Sequence, residues 1–166
     1  PPGSGCDGTV YAQGGPVVLP DGRWAVPFTG GTGLHNGFHP GMPMPQEPRQ
    51  IRWARWQPHR LCGIEAENEG RFTVPTLKRH HNELRLNYRC DNGGWIKVEL
   101  RHAVPSRKYP DDGGTPGFTF DDCDWIYGDE EDKLITWNSN SDISSVGDTV
   151  AIRLRLFRAK IFGYRV

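Results

Sequence analysis

The sequence predicts an all-β protein, an antiparallel β-sandwich of jelly-roll-like form. The first observation is an alternation of apolar and polar side chains, clearest over residues 149–166. A period of two is typical of a half-buried strand, with one row on a core and the other toward solvent. The apolar row contains Val150, Ile152, Leu154 and Leu156, and the opposite row contains Arg153 and Arg155.

Two earlier runs repeat this alternation. Leu84, Leu86 and Tyr88 form one apolar row, and residues 96, 98 and 100 form the next. Residues 91–94 between them read Asp-Asn-Gly-Gly. Asn and Gly accept the positive φ angles of a tight turn, so the spacing predicts a hairpin that joins two antiparallel strands.

The N-terminal part predicts a strand-and-loop extension over residues 1–66. Ten of the 14 prolines and 11 of the 21 glycines lie before residue 60. Residues 17–28 predict a hairpin with its turn at Pro20-Asp21-Gly22. A long loop, 29–49, follows, and loops of this length are usually functional or disordered. Residues 51–56 and 60–66 predict a second pair of strands.

The sandwich domain is expected over residues 67–166, where strands recur at the close spacing of that architecture. A long loop, 103–117, interrupts them, and no segment has the period and length of a helix. The predicted strands are 71–77, 83–90, 95–102, 118–120, 134–137 and the final run.

Charge and hydropathy exclude some classes of function. The 20 Lys and Arg residues balance the 20 Asp and Glu residues, so the whole chain has no electrostatic attraction for nucleic acid or an anionic membrane. No apolar run approaches the roughly 18 residues of a membrane-spanning helix. The first residues are Pro-Pro-Gly-Ser-Gly, without a signal segment, and we expect a processed chain or a fragment of a larger protein.

The cysteines indicate neither a disulfide scaffold nor a zinc site. Cys6, Cys62, Cys90 and Cys123 are too few for the first and lack the spacing of the second. Cys90 continues the apolar row of its strand, which favours a buried free thiol. A disulfide between Cys6 and Cys62 is also compatible with the sequence.

A longer pattern resembles a known family. Residues 116–124 read Pro-Gly-Phe-Thr-Phe-Asp-Asp-Cys-Asp and are its most specific part, within 116–164. The sequence is similar to the C-terminal region of bacterial five-bladed β-propeller proteins, glycoside hydrolase-like proteins of the invertase and arabinanase type. The similarity covers nearly all of the chain from Tyr11 onward. The segments that carry it are 51–66, 69–77, 116–124, 128–129, 135–137, 142–143 and 150–164.

The resemblance implies an architecture and a function. In that family a segment like residues 11–35 belongs to the last propeller blade, and a β-sandwich follows it. The carboxylates of such enzymes come mainly from earlier blades, so this chain is not expected to be catalytic in isolation. The leading hypothesis is an accessory module, extracellular or periplasmic, that binds or positions a polysaccharide.

Two alternatives stay open. The chain could contribute to the active site of a propeller glycoside hydrolase, or it could be a purely structural or oligomerisation domain. In the structural alternative, residues 24–28 and 51–56 would bury their faces against other domains or subunits of a larger protein. Neither a membrane nor a nucleic acid is expected as a partner.

Exposed aromatic rings bind sugars because their faces pack against the apolar faces of pyranose rings. Trp125 and Tyr127 lie in an acidic segment without an apolar pattern, and Trp95 has opposite parity to the apolar row of its strand. We expect these three side chains to contact the ligand. His35 and Asn36, in the long loop, add groups that can hydrogen-bond sugar hydroxyls. The alternative is a structural role, as rings that cap the core and as loop anchors.

Seven carboxylates lie between residues 121 and 132. Glycoside hydrolysis needs two carboxyl groups about 5–10 Å apart across a sugar, and no such pair can be assembled from the spacing. Asp122, Asp124 and Asp129 could instead bind a structural Ca²⁺, although their spacing matches no EF-hand loop. The alternative is a solvated acidic loop, and no other cofactor is expected.

Basic residues of the last strand form a stripe. A basic stripe on a sheet can hold an anionic polysaccharide or single-stranded nucleic acid, but few aromatic residues interleave with this one. The simpler interpretation is an exposed face that protects the sheet against edge pairing. The stripe consists of Arg153, Arg155, Arg158, Lys160 and Arg165.

Overall fold

The computed structural model describes residues 9–12, 14–31, 49–103 and 113–166, and over these residues the fold is all-β. Their eight strands pair antiparallel, which confirms the predicted all-β sandwich class. The chain divides into two compact units, Pro1–Leu61 and Cys62–Val166, each with its own sheet. The division falls five residues before the expected 66/67 boundary.

The first unit is a sheet centred on one strand. It contains β1 (Thr9–Ala12), β2 (Val17–Val18), β3 (Trp24–Gly31) and β4 (Gln50–Trp56), and β3 pairs with each of the others. The predicted hairpin is confirmed, because Val17 lies opposite Ala25 and Val18 opposite Trp24. Gly22 closes its turn with a positive φ of 82°.

The second unit is a sheet of four strands in the order β5-β8-β6-β7. Their bounds are β5 Ile64–Lys78, β6 Arg85–His102, β7 Asp129–Leu134 and β8 Thr149–Arg165. The expected pairing of 51–56 with 60–66 is wrong, because Ile64 to Ala66 begin β5 and pair with β8. The alternation that identified two strands carried no information about which strands pair.

The predicted hairpin at residues 91–94 is also wrong. Both flanking runs belong to β6 and pair with β8, since Cys90 lies opposite Ala159 and Trp95 opposite Phe157. Four residues on β6 therefore face a single residue, Arg158, and form a wide bulge. The Asn-Gly pair supplies a positive φ at Gly93 of 77°, but the chain continues in the same direction.

The core of the second unit lies between the sheet and the segments 118–126 and 135–146. The apolar rows of β6 and β8 occupy the sheet side, and Trp137, predicted to be core, is buried opposite them. Isolated bridges, such as Cys123 with Trp137, take the place of long ladders in this second layer. This explains why residues 118–120 and 135–137, predicted as strands, are turns and single bridges.

The two faces of β8 follow the predicted alternation. Val150, Ile152, Leu154 and Leu156 are buried, and the arginines lie on the opposite face. Two details differ from the expectation. β8 is an inner strand, so its basic residues do not protect an edge. The opposite face is also partly covered, because the Phe120 ring packs over guanidinium groups of β8 and β5.

The helical content of the described chain is a single 3-10 turn, Ser144–Val146, so these residues contain no helix able to cross a bilayer. His35 and Asn36 lie outside the described residues, as does most of the predicted 29–49 loop. Cys6, one partner of the considered disulfide, lies outside them too, while Cys62, Cys90 and Cys123 are free thiols.

Candidate functional site

Four aromatic rings of the second unit form a continuous row on the face of the sheet opposite the core. We call this row, Trp95, Trp125, Tyr127 and Phe157, the aromatic strip. Trp125 and Tyr127 stack with ring centroids 6.0 Å apart and planes 13° apart. Trp95 meets Trp125 edge-on at 5.2 Å and stacks on Phe157 at 6.0 Å. The structure thus brings together the three aromatic residues predicted to bind ligand.

The outer end of the strip is exposed because of local alternation. Ile126 bridges to Ile96 and is buried, which directs its neighbours Trp125 and Tyr127 away from the core. Trp125 is 55% and Tyr127 57% exposed. Large aromatic surfaces of this kind are unfavourable in water unless something covers them. The predicted exposure of this pair is confirmed.

Hydrogen bonds fix the backbone beneath the exposed pair on both sides of the bulge. The Ile96 N–H donates to Ile126 O at 3.0 Å, and the Cys90 N–H donates to Gly128 O at 2.7 Å. The buried Tyr88 hydroxyl donates to Tyr127 O at 2.7 Å. Burial raises the pKa of this phenol well above its ordinary value, so it remains a donor at any physiological pH. Rings held on a fixed backbone lose little entropy when they bind.

The bulge sets the position of the inner rings. Gly94 lies against β8 so closely that a Cβ there would be 2.2 Å from Arg158 O, and only glycine fits. On the partner strand β8, Arg158 lies opposite the bulge and has a positive φ of 47°. Trp95 and Phe157 follow directly on each side and pair in register. The stacked contact of these two rings is a cross-strand pair of the kind that stabilises sheets.

Two cations pack against the faces of the tryptophans. The Lys97 ammonium lies 4.3 Å from the Trp125 ring centroid, and the Arg155 guanidinium lies 5.4 Å from that of Trp95. Both distances are within the range of cation–π attraction. Lys97 also donates to Cys123 O, and Arg155 donates to Glu69 at 2.6 Å. The strip is therefore bordered by one partly exposed cation, Arg155, and one buried cation, Lys97.

Carboxylates of the acidic segment hold its turns rather than line a cavity. Asp122 accepts from the Thr119 hydroxyl at 2.7 Å, and Asp124 accepts from the Thr136 hydroxyl at 2.5 Å and from the Ser139 N–H at 3.0 Å. These side-chain hydrogen bonds are the main reason why the pKa values of both aspartates lie below the usual value. The two carboxylates connect residues 119–124 to residues 136–139.

The candidate calcium ligands Asp122, Asp124 and Asp129 are not gathered into one cluster in the described chain. Asp129 lies on the edge strand β7, and the described part of the chain contains no group of three His, Cys, Asp or Glu side chains that could hold a metal ion. Asp122 accepts hydrogen bonds at both of its carboxylate oxygens, and Asp124 accepts two at Oδ2. A structural calcium at these residues stays a prediction.

The thiols near the strip are poorly suited to chemistry. Burial raises the pKa of Cys90 and of Cys123 to about 11. Cys123 accepts from the Val98 N–H at 3.3 Å and is buried, whereas Cys90, expected to be a buried free thiol, is a free thiol that is half-buried. Thiolates are the reactive form of cysteine, so both groups are structural.

Sequence reasoning missed Lys97 and Phe157 as members of this site. Lys97 alternates with the core residues of β6, and from the sequence alone this pattern is typical of any solvent-facing lysine. Its burial depends on Cys123 and Trp125, which are distant in sequence. Phe157 lies beside Trp95 because β6 pairs with β8. The hairpin predicted at 91–94 gave no indication of that pairing.

Comparison with family models, curated proteins and solved structures finds no match to this chain.

Proposed function

We propose that this protein is a carbohydrate-associated accessory module that binds a polysaccharide on the aromatic strip. The similarity to propeller glycoside hydrolases suggested this role, and the assembly of Trp95, Trp125 and Tyr127 into one row supports it. Pyranose rings offer apolar C–H faces to aromatic rings and hydroxyls to neighbouring polar groups. The strip offers both kinds of contact.

The observation that carries the proposal is the exposed pair on a fixed backbone. Trp125 and Tyr127 leave more than half of their surface in water, although the peptide groups between and after them are hydrogen-bonded to β6. Aromatic rings held in place without a covering layer are the usual anchors of binding surfaces. Glu69 and Arg155 lie beside the row and offer hydrogen-bonding groups for hydroxyls.

Affinity electrophoresis in gels containing neutral and acidic polysaccharides tests the proposal. The wild-type chain should be retarded by at least one of them, and Trp125→Ala and Tyr127→Ala should each weaken retention about tenfold, or ~1.4 kcal/mol. Trp53→Ala is the matched control, because Trp53 is also an exposed tryptophan but lies in the first unit. Absence of retardation in every gel, or equal loss in the control, would reject the proposal.

A second candidate function concerns the first unit. Ile51 on β4 is 78% exposed, and Val18 and Trp53 are exposed as well. Among the described strands β4 pairs with β3 alone. We propose that this sheet packs against another domain or subunit, as expected if it resembles a last propeller blade. Sedimentation velocity should then show assembly that Ile51→Lys abolishes, and a monomer at all concentrations would count against assembly of the chain with itself.

A further inference from the structure

We infer that the ligand of the aromatic strip is an acidic polysaccharide, one that bears carboxylates, and that Lys97 selects it. This inference rests on the proposed function and names its substrate class. The observation behind it is a buried ammonium group that forms no salt bridge with a carboxylate of the described residues, directly against the face of the most exposed tryptophan of the strip.

Lys97 is only 9% exposed, although it carries a charge. Its ammonium group donates to Cys123 O and lies over the Trp125 ring. Among the residues that the structure describes, no carboxylate forms a salt bridge with it. Burial of a cation costs free energy unless an anion compensates the charge.

The neighbouring charges are already paired. Arg155 forms a 2.6 Å salt bridge with Glu69, and Arg153 forms one of the same length with Glu99. Asp124 senses the charge of Lys97, and Thr136 and Ser139 both donate to its Oδ2. Asp124 also keeps contact with water, which screens its charge more than that of Lys97. The buried charge next to the strip is therefore positive.

A sugar stacked on Trp125 would carry its carboxylate beside the ring rather than over its electronegative face, within the field of this charge. A cation about 8 Å from a carboxylate, at the intermediate dielectric of a protein surface, is expected to change affinity on the order of tenfold. A neutral glycan makes the same ring contacts without this gain. Any suitable pyranose can therefore stack on the rings, whereas only an acidic sugar gains the attraction to Lys97.

The test compares two polymers with the same sugar rings, one with charged carboxylates and one with neutral esters. Polygalacturonate is one probe and its highly methyl-esterified form is the other, since esterification removes the carboxylate charge and keeps the sugar rings. Polyglutamate controls for simple attraction of polyanions. Affinity electrophoresis should show about tenfold tighter binding of the wild-type chain to the acidic polymer than to the ester. The difference should shrink as salt concentration rises.

Variants assign the preference to Lys97. Lys97→Met should reduce it to near unity while binding of the esterified polymer persists, and Lys97→Arg should retain it. Lys133→Met removes an exposed lysine of the same unit and should leave the preference unchanged. Near-ultraviolet circular dichroism checks that Trp125 keeps its environment. If Lys97→Met disturbs this spectrum, the Lys97→Arg comparison and the salt dependence of the wild type decide whether the charge of Lys97 causes the preference.

The outcomes separate the two proposals. Equal binding of both polymers would overturn the inference and leave the proposed function standing. A preference that Lys97→Met does not reduce, or binding of polyglutamate as tight as that of polygalacturonate, would overturn it as well. Absence of binding to these and to every other polysaccharide would reject the proposed function itself.

Discussion

Glu99 and Arg153 form an ion pair between β6 and β8 in which both side chains are largely buried. The Arg153 guanidinium donates to Glu99 at 2.6 Å, and the side chains are 16% and 6% exposed for Arg153 and Glu99. Gly114 leaves room for the carboxylate, since a Cβ there would be 2.4 Å from Glu99 Cγ. Removal of one member of such a pair leaves a charge without its main counterion in a region of low dielectric.

We therefore predict that Glu99→Gln lowers the free energy of unfolding by about 3 kcal/mol. Glu69→Gln, which breaks the neighbouring pair with Arg155, is the matched control. The side chains of this pair are 35% exposed for Arg155 and 44% exposed for Glu69, and an exposed pair contributes little to stability. Urea denaturation followed by fluorescence measures both. Equal losses in the two variants would show that burial does not distinguish the pairs.

The acidic segment predicts a dependence of stability on pH. The pKa of Asp124 is lowered in the folded chain, mainly by the Thr136 hydroxyl, so the folded state favours the charged form. Its contribution is present above the unfolded value of 3.8 and is lost as pH falls through the lower folded value. Stability should therefore decline with acidification below about pH 4.

Asp124→Asn should flatten this decline, since an amide takes up no proton, and should already lower stability at pH 7. Asp121→Asn is the control, because that exposed carboxylate accepts no hydrogen bond from the described residues. Thermal unfolding at a series of pH values compares the three chains. The interpretation fails if Asp124→Asn and the wild type lose stability with the same slope.

At the scale of elements, the bulge at 91–94 is the feature on which the site depends. Gly94→Ala places a Cβ against backbone atoms of β8, 2.2 Å from Arg158 O and 2.8 Å from Phe157 O, and backbone cannot yield as a side chain can. We predict a loss of about 2–3 kcal/mol. Gly163→Ala in β8 is the control, because nothing lies within 4 Å of the added Cβ. A free energy of unfolding that Gly94→Ala leaves unchanged would contradict the close approach of Gly94 to β8.

Strand faces could be predicted from the sequence, and strand partners could not. Alternation is local, so it identified the buried row of β8 and the outward parity of Trp95 correctly. Pairing depends on contacts between distant segments, and the Asn-Gly signal at Asn92 suits both a hairpin and a bulge. The exposure of Trp125 and Tyr127 was predictable for the same local reason. The positions of their neighbours Lys97 and Phe157 depend on contacts between distant segments and were not predictable.

At the scale of the molecule, the two units differ in how much core they contain. The buried hydrophobic cluster of 20 residues from Leu84 to Val166 belongs entirely to the second unit. In the described part of the first unit, Ala25 is the buried hydrophobic side chain, and several large apolar residues are exposed. Burial of apolar area is the main favourable term in folding, so the second unit holds most of the stability of the chain.

The proposed binding surface lies on the unit that holds most of the stability. The strip belongs to the second unit, on the face of β6 and β8 opposite that core. Rigid support of this kind keeps binding side chains in place before the ligand arrives. The proposed function requires that this supported row of rings contacts a polysaccharide.

The most direct test is a two-dimensional ¹⁵N–¹H NMR spectrum of the six tryptophan indoles, recorded while an oligosaccharide of the retained polymer is added. Substitutions to phenylalanine assign each signal. We predict saturable shifts for Trp95 and Trp125, and none for Trp53 or for Trp137, whose indole N–H donates to Val98 O within the core. Unchanged Trp95 and Trp125 signals at saturating ligand, or shifts confined to other tryptophans, would rule out polysaccharide binding on the aromatic strip.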